Sequence, residues 1–139
     1  MSDGSVQGIV LAHGTMAAGL VDAVRQITGL DESVLVPVSN RGLSPEALAD
    51  EVRKNVRGPT IVFTDLQSGS CGFAARRYCL DIPDLVIISG VNLPVLLEFA
   101  MLRALPMSEL VPRLLNKARS SITSSFTSAE PHEHRAVSG

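Results

Sequence analysis

The chain has 139 residues, of which 45% are hydrophobic, and a formal net charge of −2. This length predicts one domain with a core large enough to fold without metal or disulfide staples. The charge excludes a general attraction to nucleic acid, and no apolar run approaches the roughly 20 residues that a membrane-spanning helix needs.

The first element is the apolar run from Gln7 to Ala12, which is typical of a buried parallel strand. It leads directly into His13. Thr15 is then the predicted N-cap of a helix from Met16 to Thr28, whose apolar residues recur at helical spacing. Gly29 is expected to end this helix in the left-handed conformation. The N-terminal stretch therefore predicts a strand, a histidine and a helix in direct succession.

The alternation of strands and helices continues along the chain. The further predicted elements are, in order, a strand Val34–Val38, a helix that begins at Ser44-Pro45-Glu46, a strand Thr60–Thr64, a helix Cys71–Leu80, a strand Leu85–Ser89, a helix Pro94–Leu102 and a helix that is capped by Ser108 and ends near Arg119. This order predicts an α/β fold with a doubly wound, mainly parallel four-stranded sheet and helices on both faces. The domain is expected over residues 1–119.

Residues 120–139 contain little apolar matter, and they are expected to lie outside the packed domain. Ser121–Phe126 alternates weakly and predicts a fifth, short edge strand. The stretch from Glu130 to Gly139 is typical of a flexible tail. Its His132-Glu133-His134 tripeptide has no further metal ligand nearby, so neither a metal site nor a cofactor is expected.

The two cysteines, Cys71 and Cys79, are eight residues apart. On one helix this spacing separates them by about 12 Å, too far for a disulfide. Cys71 starts a helix, which allows either a lowered thiol pKa or a packing role, and packing is favoured. Residues 1–5 also lack a signal-peptide pattern. A reduced, cytoplasmic protein is the simplest interpretation.

Two polar residues directly follow apolar strands, His13 after the first and Asp65 after the third. In a doubly wound sheet these strands can be neighbours at the edge where ligands bind. A carboxylate beside an imidazole fixes one ring nitrogen and leaves the other as nucleophile or base. This favours a histidine that accepts a phosphoryl group or a proton. Turn capping by His13 and helix capping by Asp65 remain alternatives.

The small polar loop Ser68-Gly69-Ser70 leads into a helix, where backbone N–H groups and hydroxyls can bind an anion. The loop matches neither the dinucleotide nor the P-loop pattern, and an ordinary small-residue loop is the alternative. Gly14, Ser68, Gly69 and Ser70 are the candidate phosphoryl-binding residues. Asn92, after the fourth strand, could orient the cleft or make a turn, and a structural role combined with the floor of the cleft is favoured.

Three motifs resemble the IIA domain of the mannose family of the bacterial sugar phosphotransferase system. They are the strand, His-Gly and helix of Ile9–Leu20, the loop Phe63–Ser70 and the stretch Gly90–Glu98. Their order and spacing are specific, and the likeness covers Gly8 to Leu102. The family's Asp-x-x-Gly-Gly-Ser-Pro loop differs here, because Ser68 stands at the first glycine and Cys71 at the proline.

The resemblance implies a IIA-like phosphoryl-carrier domain with phosphotransferase activity. His13 would accept a phosphoryl group from the histidine phosphocarrier protein and pass it to a IIB component. Asp65 would orient His13, and Ser70 would contact the phosphoryl group. The family also forms homodimers that exchange a C-terminal strand, here Ser120 to Phe126. A stand-alone IIA protein that meets the membrane only through transporter subunits is implied.

Two alternatives remain. The chain could be a regulatory phosphoprotein in which the phosphorylation state of His13 controls a partner protein. A His-Gly pair after a first strand also occurs in small tetrapyrrole chelatases, where the histidine accepts protons or binds metal. A chelatase needs further metal-directed side chains, and only Asp65 and the distant Glu98 are candidates.

Overall fold

The computed structural model describes residues 4–127, which form four strands and five helices. In chain order the elements are β1 (Gln7–Ala12), α1 (Met16–Thr28), β2 (Leu35–Ser39), α2 (Pro45–Asn55), β3 (Thr60–Thr64), α3 (Ser70–Tyr78), β4 (Leu85–Ser89), α4 (Leu93–Leu102) and α5 (Met107–Ser120). The predicted element order is confirmed. The predicted tail from Glu130 lies outside the described residues.

The four strands form one parallel sheet in the order β2-β1-β3-β4. The predicted neighbourhood of β1 and β3 is confirmed, and their register pairs Leu11 with Thr64. Both central strands are buried along their whole length, as their continuous apolar sequences predict. Because the strands are parallel and in register, the residues after β1 and β3 emerge side by side at one edge of the sheet.

Helices cover both faces of the sheet, which confirms the doubly wound architecture. On one face, α1, α4 and α5 pack on a core that includes an edge-to-face pair of Phe63 and Phe99, with ring centroids 5.4 Å apart. On the other face, α2 and α3 cover Ile9, Leu11 and Val62. Alternate residues of β1 therefore anchor opposite layers, and this holds the end of the strand rigidly.

Two helix ends carry the capping residues that the sequence predicts. The hydroxyl oxygen of Ser44 accepts a hydrogen bond from the backbone N–H of Ala47 (3.1 Å), and Pro45 is the first residue of α2. Gly29 ends α1 in the left-handed conformation with φ 71°. β2 starts one residue later than predicted, because the N–H of Val34 donates to the carbonyl of Asp31 in the preceding turn.

Two predicted caps are wrong. Thr15 precedes α1, but its side chain makes no capping bond, because its backbone (φ −96°, ψ 5°) lacks the extended conformation that an N-cap needs. Ser108 lies inside α5 instead of before it. The helix begins earlier, since the carbonyl of Pro106 already accepts hydrogen bonds from the N–H groups of Glu109 and Leu110.

After α5, residues 122–127 carry no strand within the single chain. The side chains of Ile122 and Phe126 are 81% and 57% exposed. The predicted fifth strand is therefore not part of this chain's own sheet, and its exchange between two chains stays a prediction. Within residues 4–127, every helix is too short or too polar to cross a bilayer.

Gly72 and Gly19 form a matched pair of helical glycines. A Cβ on Gly72 would lie 2.4 Å from the carbonyl oxygens of Leu66 and Gln67, whereas a Cβ on Gly19 would meet nothing within 4 Å. We expect Gly72→Ala to lower the free energy of unfolding by about 1–3 kcal/mol, because the backbone must shift. Gly19→Ala should raise it by roughly 0.5–1 kcal/mol through helix propensity. Urea unfolding followed by circular dichroism measures both, and equal effects would contradict this packing.

Candidate functional site

His13 lies directly after β1, at the edge of the sheet where β3 also ends, and its side chain is 44% exposed. Its ring nitrogen Nδ1 is 2.6 Å from Oδ2 of Asp65. The backbone N–H of His13 donates to the same carboxylate oxygen over 2.9 Å. The pair that the sequence predicted across two strands is thus in direct contact, and two bonds connect it.

The carboxylate of Asp65 is shielded from solvent, because only 7% of its side chain is exposed. Its other oxygen, Oδ1, accepts the N–H of Leu66 over 2.9 Å. Burial alone would raise the pKa of Asp65, but the backbone and ring hydrogen bonds from His13 and the bond from Leu66 outweigh burial and lower it. Asp65 is therefore a carboxylate at neutral pH and can only accept hydrogen bonds.

This carboxylate decides which ring nitrogen of His13 is free. Since an ionised Asp65 only accepts, Nδ1 must carry the ring proton, and the neutral ring keeps its lone pair on Nε2. Nε2 lies 3.1 Å from the hydroxyl oxygen of Ser70, the first residue of α3. The nitrogen that keeps its lone pair thus faces the N-terminus of a helix, where backbone N–H groups favour an anion.

Gly69 allows the loop to approach the imidazole closely. It is the N-cap residue of α3, and a Cβ at this position would lie only 3.1 Å from Cε1 of His13. A larger residue would push either the ring or the loop away from its place. Ser68, also predicted to bind a phosphoryl group, is exposed, and its side chain makes no hydrogen bond to another described residue.

A third loop completes the site, and sequence reasoning missed it. Asn40 follows β2; its Oδ1 accepts the N–H of Gly14 (3.2 Å) and its Nδ2 donates to the hydroxyl of Ser70 (3.3 Å). The hydroxyl of Ser39 donates to the carbonyl of Gly14 over 2.8 Å. The guanidinium of Arg41 lies beside Gly14, whose Cβ, if present, would be 3.4 Å from Nη2. The signal was available, because Asn40 is also polar and also follows an apolar strand.

Asn92 is used within the fold. Its side-chain oxygen accepts the N–H of Val95 over 3.0 Å and so caps α4. Its amide nitrogen donates to the carbonyl of Ala118 in α5, also over 3.0 Å. Both ends of the amide therefore join the chain to α4 and α5, and the geometry favours the structural half of the earlier expectation for Asn92.

Cys71 packs behind the imidazole. Its sulfur is 3.9 Å from Nδ1 of His13, the residue is fully buried, and burial, with the charge of Asp65, raises the pKa of the thiol to about 11. The alternative of a lowered thiol pKa is wrong. Cys79 is also buried, and both thiols are free.

His13, Asp65 and Cys71 also offer three potential metal-ligand atoms within 4.8 Å of one another. However, Nδ1 and Oδ2 already share a direct hydrogen bond of 2.6 Å. Two ligands of one zinc ion, each about 2.0–2.2 Å from it, lie farther apart than this. The geometry therefore fits a hydrogen-bonded pair better than a metal centre. Glu98 lies in the second turn of α4 and does not join this group.

Comparisons with known proteins identify a matching family model and several solved structures with the same fold. A family model described as "PTS system fructose IIA component" matches residues 8–116. Three solved structures with the same fold are a phosphotransferase system component EIIA from Streptococcus agalactiae (22% identical, 86% of this chain and 96% of that one, TM-score 0.79), the mannose/sorbose-specific IIA subunit from Enterococcus faecalis (24%, 88% and 96%, 0.74) and the PTS IIA protein associated with the fucose utilization operon from Streptococcus pneumoniae (20%, 89% and 96%, 0.71). No curated protein matches the chain significantly.

The pKa of Asp65 tests the site geometry directly. We expect its carboxyl ¹³C resonance to titrate below the ordinary value of about 3.9. His13→Ala removes the ring bond and keeps the backbone one, so the midpoint should rise. In linkage terms, the depressed pKa contributes stability above the unfolded pKa, and this is lost as pH falls through the folded pKa. Asp31, whose pKa is lowered by bonds from Ser33, is the control and should not move. An unchanged Asp65 midpoint would contradict the ring contact.

Proposed function

The chain belongs to the fructose- and mannose-family IIA components of the sugar phosphotransferase system, and from this premise we propose that His13 is the residue that carries the phosphoryl group. The donor is the histidine phosphocarrier protein, and the acceptor is a IIB component, in the cytoplasm. One observation carries the assignment: Nδ1 of His13 is bound to a buried carboxylate, while Nε2 faces the Ser70 hydroxyl at the N-terminus of α3. An imidazole held in this way has one nitrogen that can attack.

The proposed transfer is an in-line displacement between two histidines. The lone pair of Nε2 forms a bond to phosphorus as the bond from phosphorus to the donor's ring nitrogen breaks, and the donor nitrogen keeps that electron pair. His13 retains its proton on Nδ1, so the phosphorylated ring becomes cationic. The carboxylate of Asp65 stabilises this charge through its bond to Nδ1 (2.6 Å). The protein supplies positioning and charge, since phosphoryl transfer needs little else.

The N-terminus of α3 is the proposed seat of the phosphoryl oxygens. The hydroxyl of Ser70 is 3.1 Å from Nε2, so it is close enough to donate to an oxygen on the transferred group. The first N–H groups of α3 add partial positive charge. The guanidinium of Arg41, beside Gly14, adds a full positive charge to the same edge. The positive charge of these groups offsets the negative charge of the Asp65 carboxylate.

A homodimer with an exchanged strand is the second part of the proposal. β4 is the last strand in the sheet order, so its outer edge pairs with no other described strand. A groove of about 670 Å³ lies beside it, lined by Leu66, Gln67 and Leu85–Ile87, among others. Ile122 and Phe126 are four residues apart and share one face of an extended strand. A strand from a second chain would cover the edge and these side chains together.

Removal of the acceptor ring should abolish phosphorylation. With phosphoenolpyruvate and the general phosphotransferase proteins, the wild-type chain should gain one phosphoryl group by intact mass, and His13→Ala should gain none. Asp65→Ala should slow the reaction by about ten-fold or more, because the ring loses its orienting bond. The matched controls are His132→Ala, His134→Ala and Asp22→Ala, which should behave as wild type. Label on His13→Ala would place the acceptor elsewhere.

If the C-terminal strand is exchanged, the oligomeric state should depend on whether the chain includes residues 122–126. A chain ending at Ser121 lacks most of the exchanged segment, including Ile122 and Phe126, and should be monomeric in size-exclusion chromatography with light scattering. A chain ending at Thr127 keeps the segment and should remain dimeric at the same concentration. If both truncations match the full chain, whether as monomer or dimer, the exchange is wrong.

A further inference from the structure

We propose that Asn40 is a positioning residue for the reactive nitrogen: by fixing the hydrogen-bond direction of the Ser70 hydroxyl, it makes that hydroxyl donate to Nε2 of His13. Asn40 lies after β2, touches neither ring nitrogen, and acts through Ser70. The consequence for phosphoryl transfer rests on the proposed function. The arrangement of the unphosphorylated ring does not.

The direction of the bonds begins at a group with only one role. The backbone N–H of Gly14 can only donate, and it points at the side chain of Asn40 over 3.2 Å, so the atom that it meets is the amide oxygen. The amide nitrogen of Asn40 must then be the atom that faces Ser70, 3.3 Å away. The backbone N–H of Asn40 donates to the carbonyl of Ala12, which anchors the residue against the end of β1.

The orientation of Ser70 follows from this. Because the amide of Asn40 donates to the hydroxyl oxygen of Ser70, the hydroxyl hydrogen is left to point elsewhere. The acceptors near it are Nε2 of His13, at 3.1 Å, and the sulfur of Cys71, and the sulfur is the weaker of the two. The ring then donates from Nδ1 to Asp65. The hydrogen bonds from Gly14 to Asp65 thus share one direction, and bonds aligned in this way strengthen one another.

The same arrangement suits both states of a carrier. In the free protein, the Ser70 hydroxyl holds the ring with its lone pair directed at the N-terminus of α3. When Nε2 bonds to phosphorus its lone pair is consumed, and the Ser70 hydrogen is available to a phosphoryl oxygen. Asn40 remains a donor to Ser70 in either state, so the loop after β2 need not rearrange during transfer.

Asn40→Asp is the decisive variant, because it keeps the shape and the acceptor for Gly14 but replaces the donor to Ser70 with an acceptor. The Ser70 hydrogen should turn to the new carboxylate. In two-bond ¹H–¹⁵N spectra, the Nε2 resonance of His13 should then move toward the frequency of an unbonded ring nitrogen. Asn55→Asp is the control, since Asn55 donates to the carbonyl of Glu51 within α2. It should leave the Nε2 resonance unchanged.

A double-mutant cycle separates positioning from a general loss of structure. Asn40→Ala should slow phosphorylation about ten-fold, but should have little further effect on a Ser70→Ala background. Additive losses, or an unmoved Nε2 resonance in both Asn40 variants, would overturn the proposal. If wild type takes up no phosphoryl group, the carrier function fails, and the nitrogen spectrum still decides the role of Asn40. If Asn40→Asp does not fold, Asn40→Ala is the second test: it removes the donor to Ser70 without adding an acceptor, so the Nε2 resonance should move in the same direction by a smaller amount.

Discussion

The site depends on one constraint, the double attachment of His13 to the carboxylate of Asp65. The two residues are 52 positions apart, yet the backbone and the ring of one both bond to a single oxygen of the other. This is feasible only because β1 and β3 are parallel neighbours that end in register. The attachment orients the ring, places its proton on Nδ1 and fixes Asp65 at the start of the loop that leads to α3. Where the reactive nitrogen points follows from these three effects.

The rest of the site depends on a third strand, β2, which ends at the same edge of the sheet as β1 and β3. β2 flanks β1 on the side opposite to β3, so its carboxyl end delivers Asn40 to the same edge. The hydrogen bonds of Asn40 then link Gly14 to Ser70 across that edge. Both layers of helices pack on fully buried β1 and β3, so the loops stand on a rigid base. Three short loops on a fixed sheet can hold a ring more precisely than one long loop could.

The elements and site residues that could be predicted from the sequence are those with a strong local pattern. Apolar runs placed β1, β3 and β4, and the sheet rule brought His13 to Asp65. The cap at Ser108 failed because the carbonyl of Pro106, two residues earlier, already accepted the first helical bonds. Asn40 was missed because its importance comes from its partners in two other loops. A polar residue after an apolar strand was a visible signal, but the pairwise geometry that gives Asn40 its role emerges only when the strand order is known.

The two sides of the imidazole differ in the way that the proposed carrier function requires, since a carrier must both accept and release a phosphoryl group. On the Nδ1 side, the environment is closed: Asp65 is nearly buried, and the neutral thiol of Cys71 packs 3.9 Å from the ring. On the other side, Nε2 faces the Ser70 hydroxyl and the N-terminus of α3. In the proposed carrier, Asp65 would stabilise a cationic phosphorylated ring, and the ring would remain accessible to its next partner because the His13 side chain is 44% exposed. The pKa of Asp65 is lowered in the unphosphorylated protein, so its carboxylate is already charged before the proposed transfer and need not lose a proton first.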